Sequence, residues 1–122
     1  MSLIGKTVAV KGEVRATEDL RIEGRVDGPI LCEGFAVVVA QSAQLSGDIV
    51  ARDITVLGKF SGRLIATEVV DIRTDANVSG QVHSKRFVLD DGAQFNGRVQ
   101  PGQLETALRV ARFEQQKREK EA

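Results

Sequence analysis

A short glycine-centred pattern recurs along the chain. Its fullest form places Ala, an apolar residue, Gly and a second apolar residue at alternate positions, in "AQLSGDI" (43–49), "ANVSGQV" (76–82) and "AQFNGRV" (93–99). The shorter form, apolar-x-Gly-x-apolar, recurs at intervals of 19, 15, 18 and 17 residues around Gly28, Gly47, Gly62, Gly80 and Gly97. A unit of about 17 residues is too short to bury its own apolar side, so it must stack on its neighbours. The repeat therefore predicts a solenoid.

Four columns of apolar residues appear when the units are aligned on this repeat. The first is Leu20, Val37, Ile54, Val70 and Phe87, and the second is Ile22, Val39, Val56, Ile72 and Leu89. The third is Val26, Leu45, Phe60, Val78 and Phe95, and the fourth is Ile30, Ile49, Leu64, Val82 and Val99. Within a unit, apolar positions are two or four residues apart, which is the spacing of a β-strand with one buried side. We therefore predict an all-β, single-domain parallel β-helix with three sides and about five to six coils.

The repeated glycine lies midway between two inward apolar residues, which leaves two structural interpretations. It avoids crowding in a narrow interior, or it lets the chain bend at a coil corner. Contact with a ligand is the functional alternative. The mean interval of about 17 residues disfavours the left-handed β-helices that repeat every six residues, a class that includes acyltransferases.

Composition excludes several classes of function. Lys and Arg together number 17, as do Asp and Glu, and Tyr and Trp are absent, so a basic or base-stacking nucleic-acid surface is not expected. With one cysteine (Cys32) and one histidine (His83), the chain can form neither an internal disulfide nor a Cys/His metal cluster. We predict no cofactor, no metal and no catalytic residues. Cys32 is expected to be an inert thiol, His83 a surface side chain, and Asp90-Asp91 part of a turn.

No stretch is apolar and long enough to cross a bilayer, and no signal peptide is recognisable, so a cytoplasmic protein is expected. The predicted organisation is a short N-terminal segment (1–7), a β-helix domain (8–102) and a C-terminal tail (103–122). In the tail, Leu104, Ala107, Leu108 and Ala111 have helical spacing before an almost wholly polar end. This amphipathic helix caps the rod, lies loose, or binds a partner or a membrane surface.

A β-helix without caps exposes strand edges and an open core at both ends, and such edges recruit other chains. We therefore predict end-to-end stacking into filaments. The candidate contact residues are Phe95, Phe87, Leu89 and Val99 at the C-terminal end, with Val8 and Val10 at the N-terminal end. The chain contains no phosphate-binding loop of the form GxxxxGK[ST], so assembly driven by nucleotide has no support in the sequence.

The segments "SLIGKTVAVKGEVRATEDLRIEGRVDGPI", "GKFSGRLIAT", "ANVSGQV" and "GAQFNGRV" resemble the bactofilins, bacterial polymer-forming cytoskeletal proteins, over about residues 2–100. The resemblance implies a right-handed β-helix that assembles without nucleotide into non-polar, membrane-associated filaments. These act as scaffolds that localise cell-wall enzymes and help to set cell shape. Phe95 matches the apolar residue of the last coil that the family uses in subunit contact.

The same resemblance implies the partners: further copies of this chain, a paralogue, and cell-wall synthases or hydrolases. Many bactofilins carry a membrane-targeting peptide before the β-helix, whereas here the repeat begins near Ser2, so Leu3, Ile4 and Lys6 are the candidates for membrane contact. Two other functions remain open from the residues alone. One is a small β-helical enzyme, an acyltransferase or a polysaccharide-acting protein, and the other is a capped, monomeric binding module.

Overall fold

The computed structural model describes residues 2–98 in full and the backbone of Val99. Every regular element in this range is a β-strand. The strands are β1 (Ser2–Ile4), β2 (Ala9–Lys11), β3 (Val14–Arg15), β4 (Leu20–Ile22), β5 (Arg25–Asp27), β6 (Ile30–Val39), β7 (Gln44–Val56), β8 (Lys59–Ile72), β9 (Asn77–His83), β10 (Arg86–Leu89) and β11 (Gln94–Val99). The predicted C-terminal tail, 103–122, lies outside the described residues.

All strand pairs are parallel, and they stack into six coils with three faces each. Face 1 consists of 2–4, 20–22, 37–39, 54–56, 70–72 and 87–89. Face 2 consists of 9–11, 25–27, 44–46, 59–61, 77–79 and 94–96. Face 3 consists of 14–15, 30–32, 49–51, 64–66, 82–83 and 99. The long strands β6 to β9 and β11 bend around corners and contribute to more than one face. The fold is therefore the predicted parallel β-solenoid.

The four predicted columns are the inward ladders of this stack. Each column member is the register partner of the next, as in the run from Leu20 through Val37 and Ile54 to Val70. The members in the inner coils are buried and form one cluster. A fifth column of small residues, Cys32, Ala51 and Ala66, completes the interior beside face 3. The first coil begins at Ser2, because Ser2–Ile4 pairs with Leu20–Ile22, six residues before the predicted domain start.

The repeated glycines form a ladder at the corner between faces 2 and 3. Gly47, Gly62, Gly80 and Gly97 are register partners in successive coils. Gly47 has φ +126°, and a Cβ on it would lie 2.6 Å from the carbonyl oxygen of Gly28 in the coil before. The corner therefore needs glycine both for its backbone conformation and for its close stacking. The corner interpretation is confirmed.

Two kinds of turn join face 1 to face 2, and they contribute to the uneven repeat. Four-residue turns close with a hydrogen bond, as from the Ala43 N–H to the Ala40 oxygen at 2.9 Å. The coils of Gly24 and Gly58 cross this corner with two residues fewer. A Cβ on Gly58 would collide with the Ala40 and Ala43 carbonyl oxygens, so the short turn fits closely against the long one before it. The two-residue difference between long and short turns is one source of the scatter in the glycine interval, and the register shifts at the corner between faces 3 and 1 are another.

Candidate assembly interface

The C-terminal end of the stack presents apolar side chains beside an unpaired strand edge. Within residues 2–99, β10 pairs only with β8, and β11 pairs only with β9. Phe87 and Phe95 are half-buried, and their rings meet edge to face, with centroids 5.3 Å apart and planes at 61°. Leu89 follows on the same edge and is 46% exposed. Because the aromatic pair is already ordered, a partner could bury it at little entropic cost.

The N-terminal end is the counterpart of this arrangement. In the described part of the chain, β1 pairs only with β4, β2 only with β5, and β3 only with β6. Val10 is half-buried and is the register partner of Val26 in the third column. Among the described residues, no strand pairs with β2 on the side away from Val26. Val8 lies in the first turn and is exposed, whereas Ala43, at the same turn position two coils later, is buried. Both ends therefore leave an apolar column partly uncovered.

The structure sorts the predicted contact residues into two groups. Phe87, Leu89 and Phe95 lie together at one end, and Val8 and Val10 lie at the other. Val99 pairs with Val82 in the last described rung. Five steps of about 4.8 Å separate the first and last coils, so the two ends are roughly 24 Å apart. The two groups therefore lie at opposite ends of the stack and do not contact each other within one molecule.

The end coils also carry main-chain groups that favour another strand. In a parallel stack each inner strand shares hydrogen bonds with the coils on both sides, whereas an end strand has one such neighbour. Among residues 2–99, the N–H and C=O groups on the outer side of an end strand have no partner strand, and such an edge is a template for pairing. Gly12, the first member of the corner ladder, has φ +115°, and a Cβ on it would meet nothing within 4 Å. This space is filled by a preceding coil at every later ladder position.

The three candidates for membrane contact do not share one surface. Leu3 is 60% exposed on the outer side of face 1, and Lys6 is exposed in the first turn. Ile4 points the other way, because it pairs with Ile22 and packs against the core. Among residues 2–99 there is no helix long and apolar enough to cross a bilayer.

The residues considered for chemistry are placed as follows. Cys32 is buried, and its Sγ donates a hydrogen bond to the Glu18 carbonyl oxygen at 3.2 Å. Burial, and secondarily the negative charge of Asp19, raises the pKa of this thiol, which disfavours the reactive thiolate. Asp90 begins the last four-residue turn, as predicted, with its carbonyl oxygen accepting from the Ala93 N–H at 3.2 Å. In the described range, no three His, Cys, Asp or Glu side chains are grouped to hold a metal ion.

His83 corrects one expectation. Its register partner is Ile65, and it lies on the outer side of face 3, as predicted from the position of Val82. It is nevertheless buried rather than a surface side chain. The same outer column contains Leu31, Val50 and Ile65, and we name these four residues the lateral strip.

Sequence reasoning missed this surface, although a signal was present. The face-3 strands read "ILC", "IVA" and "LIA", with an apolar residue at each outward position, whereas the outward positions of face 1 are mixed and include Arg21, Thr55 and Asp71. A run without alternation is typical of a strand covered on both sides.

Comparison with known proteins identifies the family of this chain. A family model described as "Bactofilin: Polymer-forming cytoskeletal" matches residues 2–100. Bactofilin BacO of Myxococcus xanthus (strain DK1622) is 32% identical over 98 residues, which cover 80% of this chain and 77% of BacO. Bactofilin BacP of the same organism is 28% identical over 104 residues, which cover 85% of this chain but only 43% of BacP. No solved structure matches the chain. The chain belongs to the bactofilins, a family of polymer-forming cytoskeletal proteins.

Proposed function

We propose that this protein assembles end to end, without nucleotide, into non-polar filaments that serve as a scaffold for cell-shape or cell-wall machinery. The observation that carries the proposal is the state of the two ends. Each end combines strands paired on one side with an apolar column left partly open, at residues such as Phe95 and Val10. Membership in a family of polymer-forming cytoskeletal proteins supports the same conclusion.

The apolar contact alone gives only part of the association energy. Full burial of a Leu or Phe side chain contributes about 1.5–3 kcal/mol, and Phe87, Leu89 and Phe95 have already lost roughly half of that surface. Two like ends therefore gain about 6 kcal/mol from six side chains. Association costs about 4–15 kcal/mol in lost rigid-body freedom. Pairing of the strand edges is thus needed as well, which favours contacts that continue the β-stack.

Phe95→Arg tests the contact at the C-terminal end. We expect it to give monomers or short oligomers, because an unpaired charge in an apolar contact is costly. Asn96→Arg is the matched control, since Asn96 is the next residue of β11 and is exposed. Negative-stain electron microscopy and sedimentation compare the two variants. Filaments of normal length from the Phe95 variant would overturn the proposed interface.

Polarity of the filament has its own test. In a non-polar filament the C-terminal end of one molecule meets the C-terminal end of the next. A Leu89→Cys variant, treated with a short bis-maleimide reagent, should then give covalent dimers across this contact, while the native Cys32 is buried and unreactive. In a polar filament Leu89 faces the N-terminal end of its neighbour, and the single variant would not cross-link. Apyrase treatment during assembly checks that no nucleotide is needed.

The proposed setting is the inner face of the cell membrane, with cell-wall synthases or hydrolases and a paralogous filament protein as partners. Leu3 and Lys6, both exposed near the N-terminal end, support weak contact with a bilayer. Cosedimentation with anionic vesicles should fall in Leu3→Asp. Val88→Asp is the control, because Val88 is an exposed residue of the same outer column at the opposite end. Equal loss in both variants would contradict an N-terminal membrane contact.

A further inference from the structure

Face 2 has a polar outer side, unlike the other two faces. Face 1 carries exposed apolar residues there, such as Leu3 and Val88, and face 3 carries the lateral strip. The outward residues of face 2 form two columns, and every member is exposed. Column A is Ala9, Arg25, Gln44, Lys59, Asn77 and Gln94, and column B is Lys11, Asp27, Ser46, Ser61, Ser79 and Asn96.

Two opposite charges on this surface have no ion pair within the described chain. Elsewhere in the solenoid, Arg63 and Arg73 each bind a carboxylate of a neighbouring residue or coil. By contrast, no ion pair within residues 2–98 includes Arg25 or Asp27, although both lie on β5, two residues apart. An exposed guanidinium and an exposed carboxylate therefore lie side by side, and both can bind a partner.

The lengths of the side chains add a second regularity. From the second coil to the sixth, the residue of column A is longer than the residue of column B, as Lys59 is beside Ser61. In the first coil the order is reversed, with Ala9 beside Lys11. Each coil thus presents one long and one short outward side chain. Two such surfaces interlock when the long residues of one lie opposite the short residues of the other, at the separation of about 10 Å that stacked sheets adopt.

A two-fold axis parallel to the rod produces this match between two copies. It places column A of one molecule opposite column B of the other, with equal coils at the same height. Arg25 then lies opposite the partner's Asp27, and Asp27 lies opposite the partner's Arg25. Lys11 and Lys59 lie opposite uncharged residues, so no like charges meet. We propose that two copies of this chain pair side by side through face 2 about such an axis.

The opposite orientation lacks this complementarity. A two-fold axis parallel to the strands, with all six coils overlapping, places each column opposite itself. Arg25 then lies opposite the partner's Asn77, and Asp27 lies opposite the partner's Ser79. Neither charge forms an ion pair, and in the second to fifth coils long side chains lie opposite long ones. The charges and the side-chain lengths therefore both favour parallel rods.

The size of the surface indicates when this pairing is strong. Five coil steps of about 4.8 Å and three strand residues of about 3.3 Å give face 2 a planar area of roughly 240 Å². Each partner in a stable complex buries about 800 Å², so two isolated molecules bind weakly through face 2. Along a filament the surface repeats in every molecule, and each contact after the first is effectively intramolecular. Strong lateral pairing therefore rests on the proposed end-to-end assembly.

Exchange of the two charges in the full-length protein tests the pairing. Arg25→Asp and Asp27→Arg each place like charges opposite each other, so the filaments should change from paired to single and lose about half of their width in negative-stain electron microscopy. The double variant Arg25→Asp/Asp27→Arg should restore the pairs. Arg21→Asp, the same change on face 1 of the same coil, is the control and should keep the wild-type width. Filament length should not change, because none of these residues lies in an end coil.

Cross-linking tests the symmetry of the pair. With a parallel two-fold axis, Ser79 lies at the same height as the partner's Ser79, so Ser79→Cys with a short bis-maleimide should give covalent dimers, while the native Cys32 is buried. In the opposite orientation the two thiols are three coil steps apart, roughly 14 Å along the rod, and this variant would not cross-link. Circular dichroism confirms the β-fold of each variant.

The remaining outcomes contradict the pairing. Unchanged width in both single charge variants, or no recovery in the double variant, would show that Arg25 and Asp27 do not meet. Single wild-type filaments whose binding to anionic vesicles rises in Asp27→Arg would show that face 2 binds a bilayer instead. If no filament forms, the end-to-end proposal fails, and cross-linking of Ser79→Cys at high protein concentration still decides whether face 2 pairs.

Discussion

The glycine ladder allows a sharp prediction about what holds the coils together. In Gly47→Ala, the new Cβ would lie 2.6 Å from the Gly28 carbonyl oxygen and 2.8 Å from the Gly28 carbonyl carbon. Carbon and oxygen approach to about 3.3 Å even in favourable C–H···O contacts. The two coils would therefore have to separate by about 0.7 Å at this corner.

The expected cost has two parts. A non-glycine residue in a sparsely populated backbone region costs about 1–3 kcal/mol, and the φ of +126° at Gly47 is such a case. Separation of the coils also lengthens the hydrogen bond from the Gly28 N–H to the Ser46 carbonyl oxygen, now 2.8 Å, to about 3.5 Å, where about 1 kcal/mol is lost. We expect Gly47→Ala to lower the free energy of unfolding by about 3 kcal/mol, a large part of the usual 5–15 kcal/mol.

The chain supplies its own control for the backbone part. Gly12 belongs to the same ladder and has a φ of +115°, but no atom lies within 4 Å of its added Cβ. Gly12→Ala should therefore cost only the backbone strain, about 1–3 kcal/mol, without the added loss from separated coils. Urea unfolding followed by circular dichroism measures both variants, at several protein concentrations so that any contribution of self-association is visible. If Gly47→Ala is no less stable than Gly12→Ala, close stacking is not what requires glycine at this corner.

Three further outcomes are expected. Gly12→Ala should slow filament formation in turbidity or sedimentation assays, since its methyl group points out of the N-terminal end, whereas Gly34→Ala, also at positive φ with open space around it, should not. Cys32 should resist maleimide until the protein unfolds. Burial raises the pKa of the Cys32 thiol in the folded state. The contribution of this thiol to stability should therefore be complete below its pKa in the unfolded chain and be lost as the pH rises through its pKa in the folded protein. Urea unfolding midpoints measured across alkaline pH would show this loss. Arg63→Met should cost about 0.5–1 kcal/mol in urea unfolding, as it removes the half-buried two-hydrogen-bond pair with Asp48 in the adjacent coil, at 2.6 and 3.1 Å.

The inward columns could be predicted from the sequence because their cause is local and periodic. Alternation selects one side of each strand, and the spacing of the glycines selects the register. The alignment that placed Phe60 between Leu45 and Val78 is the pairing found in the structure. Even the two-residue gaps were visible, although their cause was not. The structure shows Gly58 fitting against two carbonyl oxygens of the turn in the coil before it. These residues are about one repeat apart in the sequence, so the contact is not visible in the local pattern.

Exposure was harder to predict, because it depends on what lies beyond a strand. Alternation indicates that His83 points outward, but outward on face 3 is a covered position. The signal was the apolar middle residue of "IVA" and "LIA", which departs from the pattern used to find the repeat. A search for regular alternation of apolar and polar residues ignores such a residue. On face 3 these residues, Val50 and Ile65, are buried, whereas the outward Val38 of face 1 is only half-buried.

Residues of one type acquire different roles from their position in the stack. Gly12 and Gly47 share a ladder, yet only Gly47 has a coil before it to collide with. Phe60 and Phe95 share a column, yet Phe60 is buried and Phe95 is left partly open. The side chains are chemically equivalent, so nothing in the local sequence marks the end members as contact residues. Their capacity for assembly comes from the place where the repeat stops, because a ladder that stabilises each coil on the last one leaves the same unsatisfied surface wherever it ends.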